Sequence, residues 1–499
     1  MKENANTFIP AFYAGRSILI SGSTGFLGKV LCEKLLRSCP DIAEIFLLIR
    51  PKKGLSVNER LQKILNNKLF DVLRNERPSA FNKLVPINGD VGIEGLGLLP
   101  ADREVLIENV SIIFHVAASV RFDESLREAI FNNTRSTRDL CILAKEMKNL
   151  VVLLHVSSTY TQTDKSEVDE ILYPSELDWR EAIKVAETVD EHILRTFTAK
   201  YLGTMPNTYT FTKRLAEDVI SDYSKSLPCV IIRPSIVISS AKDPLAGWLD
   251  NFNGPVGMLV GGGKGILRVL YVDPNITCDF MPVDVAIKAI IIVAWQRGIK
   301  PITEDDTIHI YNSSSHDIKK INIKSMIEMG FKITEDVPLE NILWSPGTIT
   351  TTSRSLYYIL VLIMHILPAL FIDGIMKLFG ARPILLKLQR KVYSANNALS
   401  FFLSNEWKFY NKKLVTLLDN LSAENKKDFG FAYTDLDIVD YFKNGLIGAK
   451  IHLLKEDMNQ LEAAKLHRKR MDWLSRITTI LFVIFVLWIF YRKNMLSYT

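Results

Sequence analysis

Tyr209 and Lys213 form a YxxxK, and residues four apart on a helix share a face. An ammonium beside a phenol lowers the phenol's pKa from about 10 toward working pH, making Tyr209 a usable general acid. With sixteen tyrosines in the chain, about one such spacing arises by chance, so the surroundings carry the argument. The pair opens a helical pattern and follows Ser157-Ser158-Thr159, where an apolar β-type run ends. A hydroxyl from Ser158 or Thr159 supplies a second hydrogen bond to an oxygen gaining negative charge.

Earlier in the chain, Ile18-Leu19-Ile20 run into Ser21-Gly22-Ser23-Thr24-Gly25-Phe26-Leu27-Gly28, and a helical pattern follows. The spacing is GxxGxxG. Such a loop needs a tight turn, close approach of backbone to a pyrophosphate, and N–H groups at a helix N-terminus. Gly22, Thr24, Gly25, Phe26, Leu27 and Gly28 are the expected cofactor contacts. Arg50 ends the second apolar run, about twenty residues after the last glycine, where an acidic residue would bind the ribose 2′-OH of NAD. An arginine there accommodates a 2′-phosphate, so Arg50 favours NADPH. Asp90, in the NGDV of residues 88–91, is placed to contact the adenine, and Lys213 to hydrogen-bond the nicotinamide ribose.

Positioning these groups takes alternating strands and helices. Apolar β-rich runs at 17–21, 45–49, 84–87, 111–116, 150–157 and 229–233 alternate with helical patterns, notably 25–37 and 209–226. This is the pattern of an α/β protein with a Rossmann-type, doubly wound parallel sheet. Residues 236–284 are rich in Gly and Pro and read as loops shaping a pocket. Strand signals nearly vanish after Thr350, and helical patterns run to about Phe442. The expected divisions are a cofactor and catalytic domain over 1–350, a helical domain over 351–447, a charged helical stalk over 448–476 and a membrane anchor over 477–491.

Composition narrows the classes further. Of 499 residues, 48% are apolar and 23% charged, which excludes a disordered or collagen-like chain. Lys and Arg exceed Asp and Glu by 61 to 55, a net +6 too small and too dispersed to argue for nucleic acid. Five cysteines without a CxxC speak against a disulfide framework and a Cys-based zinc site, and favour a reducing compartment. The eight histidines form no HExxH, so no metal is expected. Gly261-Gly262-Gly263-Lys264-Gly265 resembles a phosphate loop but has Met258 and Gly265 where a Walker A needs Gly and Ser/Thr. His115, at a strand end, reads as a packed histidine. The mean hydropathy of +0.11 is high for a soluble body.

The apolar excess has a location. Residues 477–491 read ITTILFVIFVLWIFY, about 22 Å of helix without a charge. Adding Trp473, Leu474, Ser475 and a snorkelling Arg476 extends it to about 28 Å, enough for a thin membrane. Trp473, Trp488 and Tyr491 lie near its ends as an aromatic belt. Lys465, Arg468, Lys469, Arg470 and Arg476 precede it, and only Arg492 and Lys493 follow, which leaves the main body cytosolic. A second run, 356–372, is interrupted by His365 and Pro368 and fits either bilayer entry or a buried helix beside a greasy substrate. The polar Met1 to Pro10 carries no h-region, so no secretory signal is expected.

Together these elements match the extended short-chain dehydrogenase/reductases. FHVAASVRFDE (114–124), PNTYTFTK (206–213), RPSIV (233–237) and GWLDN (247–251) closely resemble the eukaryotic alcohol-forming fatty acyl-CoA reductases. So does the opening stretch from FYAGR (12–16) to LIRPKKG (48–54), and 355–445 looks like that family's C-terminal domain. The resemblance implies NADPH-dependent reduction of a long-chain acyl-CoA, first to a hemithioacetal that releases CoA, then from aldehyde to primary alcohol. It implies Tyr209, Lys213 and Ser158 as catalytic residues and adds Ala117 to the cofactor contacts. The family often has Ser-Thr-Ala at Ser157-Ser158-Thr159 and Gly-Thr at Ser136-Thr137, and neither departure removes a required group. Lys264, Arg268 or Lys52-Lys53 are candidates for the CoA phosphates. The expected partners are long-chain acyl-CoA and an endoplasmic reticulum or peroxisome membrane, and a homodimer is compatible with this reading. Two other readings, an anchored reductase of another lipid or a steroid and a silent NADPH-binding scaffold, leave GWLDN or the intact Tyr209 and Lys213 unused.

Overall fold

Short β-branched runs flanked by turn residues become strands, and the computed structural model, which describes residues 6–52, 54–301, 307–315 and 320–496, assembles seven of them into one sheet. They are β1 (Ser17–Ser21), β2 (Ile45–Ile49), β3 (Leu84–Asn88), β4 (Val110–His115), β5 (Val152–Val156), β6 (Cys229–Pro234) and β7 (His309–Ser313). All neighbours pair in parallel, in the order β7-β6-β5-β4-β1-β2-β3. Every residue of β1, β2, β5 and β6 is buried, as a parallel sheet covered by helices on both faces requires. The chain runs outward through β2 and β3, then returns to place β4 on the other side of β1. That reversal opens a crevice beyond the carboxyl ends of β1 and β4, where such sheets bind ligands. Ser21 and His115 stand side by side at its floor.

Helix α1 (Phe26–Ser38) leaves the crevice directly after the glycine loop, and α2 (Thr208–Ser224) carries the YxxxK. The Asn207 side chain caps α2 by accepting from the Thr210 N–H at 2.9 Å. Edge strand β7 lies outside the runs expected from sequence, because its HIYNS is half polar. Asn312 is nonetheless fully buried, its amide donating to the carbonyls of Val168 and Tyr410.

Contacts divide the chain into two units that are not continuous in sequence. The first comprises Met1–Ala246, Asp279–Lys320 and Trp407–Leu436, and the second Gly247–Cys278, Ile321–Glu406 and Asp437–Thr499. The expected boundary at 350 is therefore not where the units divide. Trp407–Leu436 returns to the sheet unit, where Lys408–Phe409 pairs with Glu167–Val168. The Gly/Pro-rich 236–284 segment, expected as loops, holds a helix at Gly254–Gly263 and short strands at Ile236–Ile238, Val269–Tyr271 and Phe280–Pro282.

In the second unit, helix Leu461–Leu496 joins stalk and apolar run without a break. Ile480, Leu481, Phe485 and Leu487 on it are exposed, and the segment is long and apolar enough to cross a membrane. The stalk begins later than its charge suggests. Lys450 is fully buried, with its ammonium between Glu340 and Glu456 at 3.1 and 2.8 Å.

Candidate active site

The glycine loop is a cradle that side chains would fill. Gly22 has φ +77°, and a Cβ there would lie 2.6 Å from the Ala117 nitrogen. A Cβ on Gly28 would lie 2.2 Å from the Gly22 carbonyl oxygen. Gly25, whose carbonyl accepts the first α1 bond from Lys29, is exposed and has no side chain with which to cap the helix. The positive end of α1 thus faces the crevice with room for an anionic group. The Ser21 hydroxyl accepts from the Ala117 N–H at 3.3 Å, joining the ends of β1 and β4. The Ser23 hydroxyl is buried without a partner among the described residues. The space left at Gly22, Gly25 and Gly28 is what a pyrophosphate would need, and Thr24, Phe26, Leu27 and Ala117 are the neighbours that would complete such a site.

Ser158 follows β5, and its hydroxyl, which accepts from the Tyr160 N–H at 3.2 Å, lies near enough to the Tyr209 phenol to favour its ionised form. Thr159 is fully buried and its hydroxyl has no partner among the described residues, so Ser158 is the hydroxyl the fold brings to Tyr209. The Tyr209 ring keeps some solvent contact and stacks at 6.0 Å on Phe122. Its surroundings are dense enough that burial pushes the phenol up to about 12, with the nearby Ser158 hydroxyl pulling the other way.

This corrects the expectation that Lys213 lowers the Tyr209 pKa. Lys213 is itself buried, and burial brings its ammonium down to about 7, against the pull of Glu217. Its Nζ donates to the Val156 carbonyl at 2.6 Å and lies 3.3 Å from His155 Nε2. Lys213 is thus held against the end of β5. One turn further on, Glu217 accepts from Ser157 and makes a two-pronged bond to Arg233, at 2.8 and 2.6 Å, with both partners buried. His115 is packed, as its strand-end position suggested. Its nitrogens meet Ser21 and Thr137 at 2.7 and 3.0 Å, and burial lowers it to about 3.

Asn133 is a site residue that sequence reasoning missed. It sits in a π-helical turn, Ile130–Arg135, inside a longer helix. Its Oδ1 accepts from Ser119 N–H at 2.8 Å, and its amide donates to the Ser119 carbonyl and, at 2.9 Å, to Thr212 on α2. It pins the loop after β4 to the helix carrying Tyr209. Two asparagines inside a helical pattern, Asn132 and Asn133, are the only sequence signal, since asparagine is a poor helix former.

Arg50 is 68% exposed at the tip of β2, with its guanidinium 4.0 Å from the Asp90 carboxylate beyond β3. Two CoA candidates are already engaged. Lys264 binds Glu456 at 2.5 Å and the Glu340 carbonyl, and Arg268 donates to the Met364 carbonyl while stacking on Trp344. Lys52 is exposed, and Lys53 lies outside the described residues.

A parallel sheet with a glycine cradle at its reversal point and a serine–tyrosine–lysine set beside it defines a nicotinamide-dependent reductase of the extended short-chain dehydrogenase/reductase class. Comparisons with known proteins agree. Two family models described as Male sterility protein match, an NAD-binding one over residues 20–290 and a second over 364–456. The chain is 36% identical over 489 residues to fatty acyl-CoA reductase 1 of Homo sapiens, spanning 98% of this chain and 94% of that protein. It is 35% identical over 480 residues to fatty acyl-CoA reductase wat of Drosophila melanogaster, spanning 96% and 92%. The chain belongs to the fatty acyl-CoA reductase family. The terminal R domain of the myxalamid PKS-NRPS pathway shares the fold, with TM-score 0.56 over 89% of this chain and 92% of that one at 18% identity. So does the reductase domain of a Mycobacterium tuberculosis nonribosomal peptide synthetase, with TM-score 0.55 over 90% and 95% at 16% identity.

Proposed function

We propose that this chain uses NADPH to reduce a long-chain fatty acyl-CoA to the primary alcohol and CoA, through an aldehyde that stays bound. The pairing of the Ser158 hydroxyl with the Tyr209 phenol at the crevice that the glycine cradle lines is the observation that carries this reading. Bound nicotinamide would supply hydride to the carbonyl carbon. Ser158 and Tyr209 hold the carbonyl oxygen between two hydroxyls and stabilise the charge that builds on it. The resulting hemithioacetal anion expels CoA thiolate, the same two hydroxyls receive the aldehyde oxygen, and a second bound NADPH would supply hydride to its carbon. Tyr209 then gives its proton to the alkoxide. A phenol near 12 keeps its proton at neutral pH, yet remains far more acidic than an aliphatic alcohol.

Arg50 supports NADPH over NADH, being an exposed cation at the end of β2, where folds of this kind receive the ribose 2′-position. An apolar pocket in the second unit, lined by Met258, Leu259, Leu270, Met326, Phe331 and Phe442, offers a hydrocarbon chain about 0.8 kcal/mol per buried methylene. The exposed apolar part of helix Leu461–Leu496 supports anchoring in an endoplasmic reticulum or peroxisome membrane, with the basic flank holding the preceding residues on the cytosolic side. Membranes carrying the chain, given palmitoyl- or stearoyl-CoA and NADPH, form alcohol, and Tyr209→Phe forms none. No alcohol from the wild type, or undiminished alcohol from Tyr209→Phe, overturns the reading.

A further inference from the structure

Helix Arg354–Leu378 poses a question that the C-terminal anchor does not answer. Its 25 residues, about 37 Å long, would span a hydrocarbon core of about 30 Å. Only one stripe of it faces protein: Tyr357, Val361, His365, Ala369 and Asp373, four residues apart and all buried. Four residues of α-helix overshoot a turn by about 40°, and the π-turn Leu362–Ile366 takes up part of that drift, keeping the stripe aligned.

Every polar group of the stripe is used inward. Tyr357 accepts from Asn396 at 2.9 Å. His365 accepts from the Val269 N–H at 3.1 Å and meets Gln389 at 2.7 Å. Asp373 accepts from the N–H groups of Ile384, Leu385 and Leu386. The rest of the helix surface is apolar and open, with Ile359 at 54%, Phe371 at 70% and Leu378 at 85% exposure. A soluble surface does not keep a patch of this kind in water.

Charge identifies what covers it. Arg354, Lys377, Arg382, Lys387, Arg390 and Lys391 surround the patch, all exposed, and the only carboxylate between 354 and 391 is the buried Asp373. An apolar face rimmed by cations suits a lipid surface carrying anionic headgroups. The same contacts exclude a spanning orientation. His365 is bonded to the backbone of strand Val269–Tyr271, and the basic helix Leu385–Leu399 packs beside Leu367–Leu378. A helix threaded through the bilayer would drag both into hydrocarbon, which leaves polar backbone and charge unsatisfied.

We propose that Arg354–Leu378 lies in the plane of one leaflet, as a second membrane attachment distinct from the spanning C-terminal helix, with its basic rim on anionic headgroups. The full chain, reconstituted in vesicles with and without phosphatidylserine, tests this with a fluorophore on Phe371→Cys and, as a deep reference, on Phe485→Cys. Phe371 is exposed, so labelling leaves the fold intact, and unsubstituted chain gives the background from native cysteines. Nitroxide near the headgroup quenches position 371 about twofold or more over nitroxide at the chain end, and position 485 shows the reverse. Adding phosphatidylserine strengthens the quenching at 371, and Lys387→Glu with Arg390→Glu and Lys391→Glu removes that gain. Chain-end quenching at 371 equal to that at 485 overturns the proposal in favour of a second span. Absence of lipid quenching at 371 overturns it outright, and a 371 signal that follows protein density rather than lipid assigns the face to a second copy of the chain.

Discussion

The Ser158 hydroxyl lies beside the Tyr209 phenol and favours its ionised form, while the adjacent Thr159 hydroxyl is sealed in the core with no partner among the described residues. The two neighbours therefore separate cleanly under mutation. Ser158→Ala lowers kcat by about 10²- to 10³-fold, the usual effect of losing one oxyanion donor. Thr159→Val replaces an unsatisfied hydroxyl with a methyl of similar shape, so it leaves kcat near wild type and the melting temperature unchanged or higher. Steady-state kinetics and thermal melts of the two variants decide it, and the reverse ranking would remove Ser158 from the site.

Lys213 makes the site costly to fold. Burial lowers its ammonium from 10.5 to about 7, so between those values the unfolded chain carries a proton that the folded chain lacks. Stability contributed by this group therefore rises with pH across that window, and below about 7 the folded state bears the full cost of a buried charge. Lys213→Met loses activity but melts higher than wild type near pH 6, with the gap closing toward about pH 10. Melting curves across that range, with Tyr209→Phe as an inactive control, read the difference directly. A variant no more stable than wild type at the acid end shows that Lys213 is not held as described.

Arg50 is exposed at the end of β2, so salt screens part of its attraction for a phosphate. A charge-assisted bond of about 1.5–3 kcal/mol would be worth about 10- to 100-fold, and exposure favours the lower end. Arg50→Ala therefore raises the KM for NADPH about tenfold and changes the KM for NADH by less than about twofold. Equal changes for the two cofactors would show that Arg50 does not meet the 2′-phosphate.

The central strands and both site helices are legible in the sequence because burial on both faces demands runs such as ILI and VIIR, which few other structures use. Strand β7 is not, since Asn312 is buried through bonds to Val168 and Tyr410, partners about a hundred residues or more away in the chain. The same distance hides the return of Trp407–Leu436 to the sheet unit. At the site, YxxxK correctly puts Tyr209 and Lys213 in one helical turn, but it says nothing of what encloses them. Enclosure decides the electrostatics: it raises the phenol, lowers the ammonium, and leaves Lys213 bonded to Val156. Lys264 and Arg268 mislead for a related reason, because a cation in a loop-like segment looks available until its carboxylate or carbonyl partner appears.

The three loop glycines have different reasons to be glycine, which predicts three different failures. At Gly28 a methyl would sit 2.2 Å from the Gly22 carbonyl oxygen, a backbone atom that cannot step aside, so Gly28→Ala displaces α1 from the loop and lowers the melting temperature. Gly22 adds a left-handed φ of +77° to a 2.6 Å approach to the Ala117 nitrogen, so Gly22→Ala is disruptive on two counts. Gly25 has ordinary φ and its nearest neighbour at 3.2 Å, so Gly25→Ala folds. What Gly25→Ala changes is the space over the helix N-terminus, where a methyl stands in the way of a pyrophosphate. Its melting temperature stays near wild type while cofactor affinity, measured by titration of nucleotide fluorescence, falls about tenfold or more. Unchanged affinity in a folded Gly25→Ala would place the pyrophosphate elsewhere, whereas loss of stability alone in Gly28→Ala would leave that assignment standing.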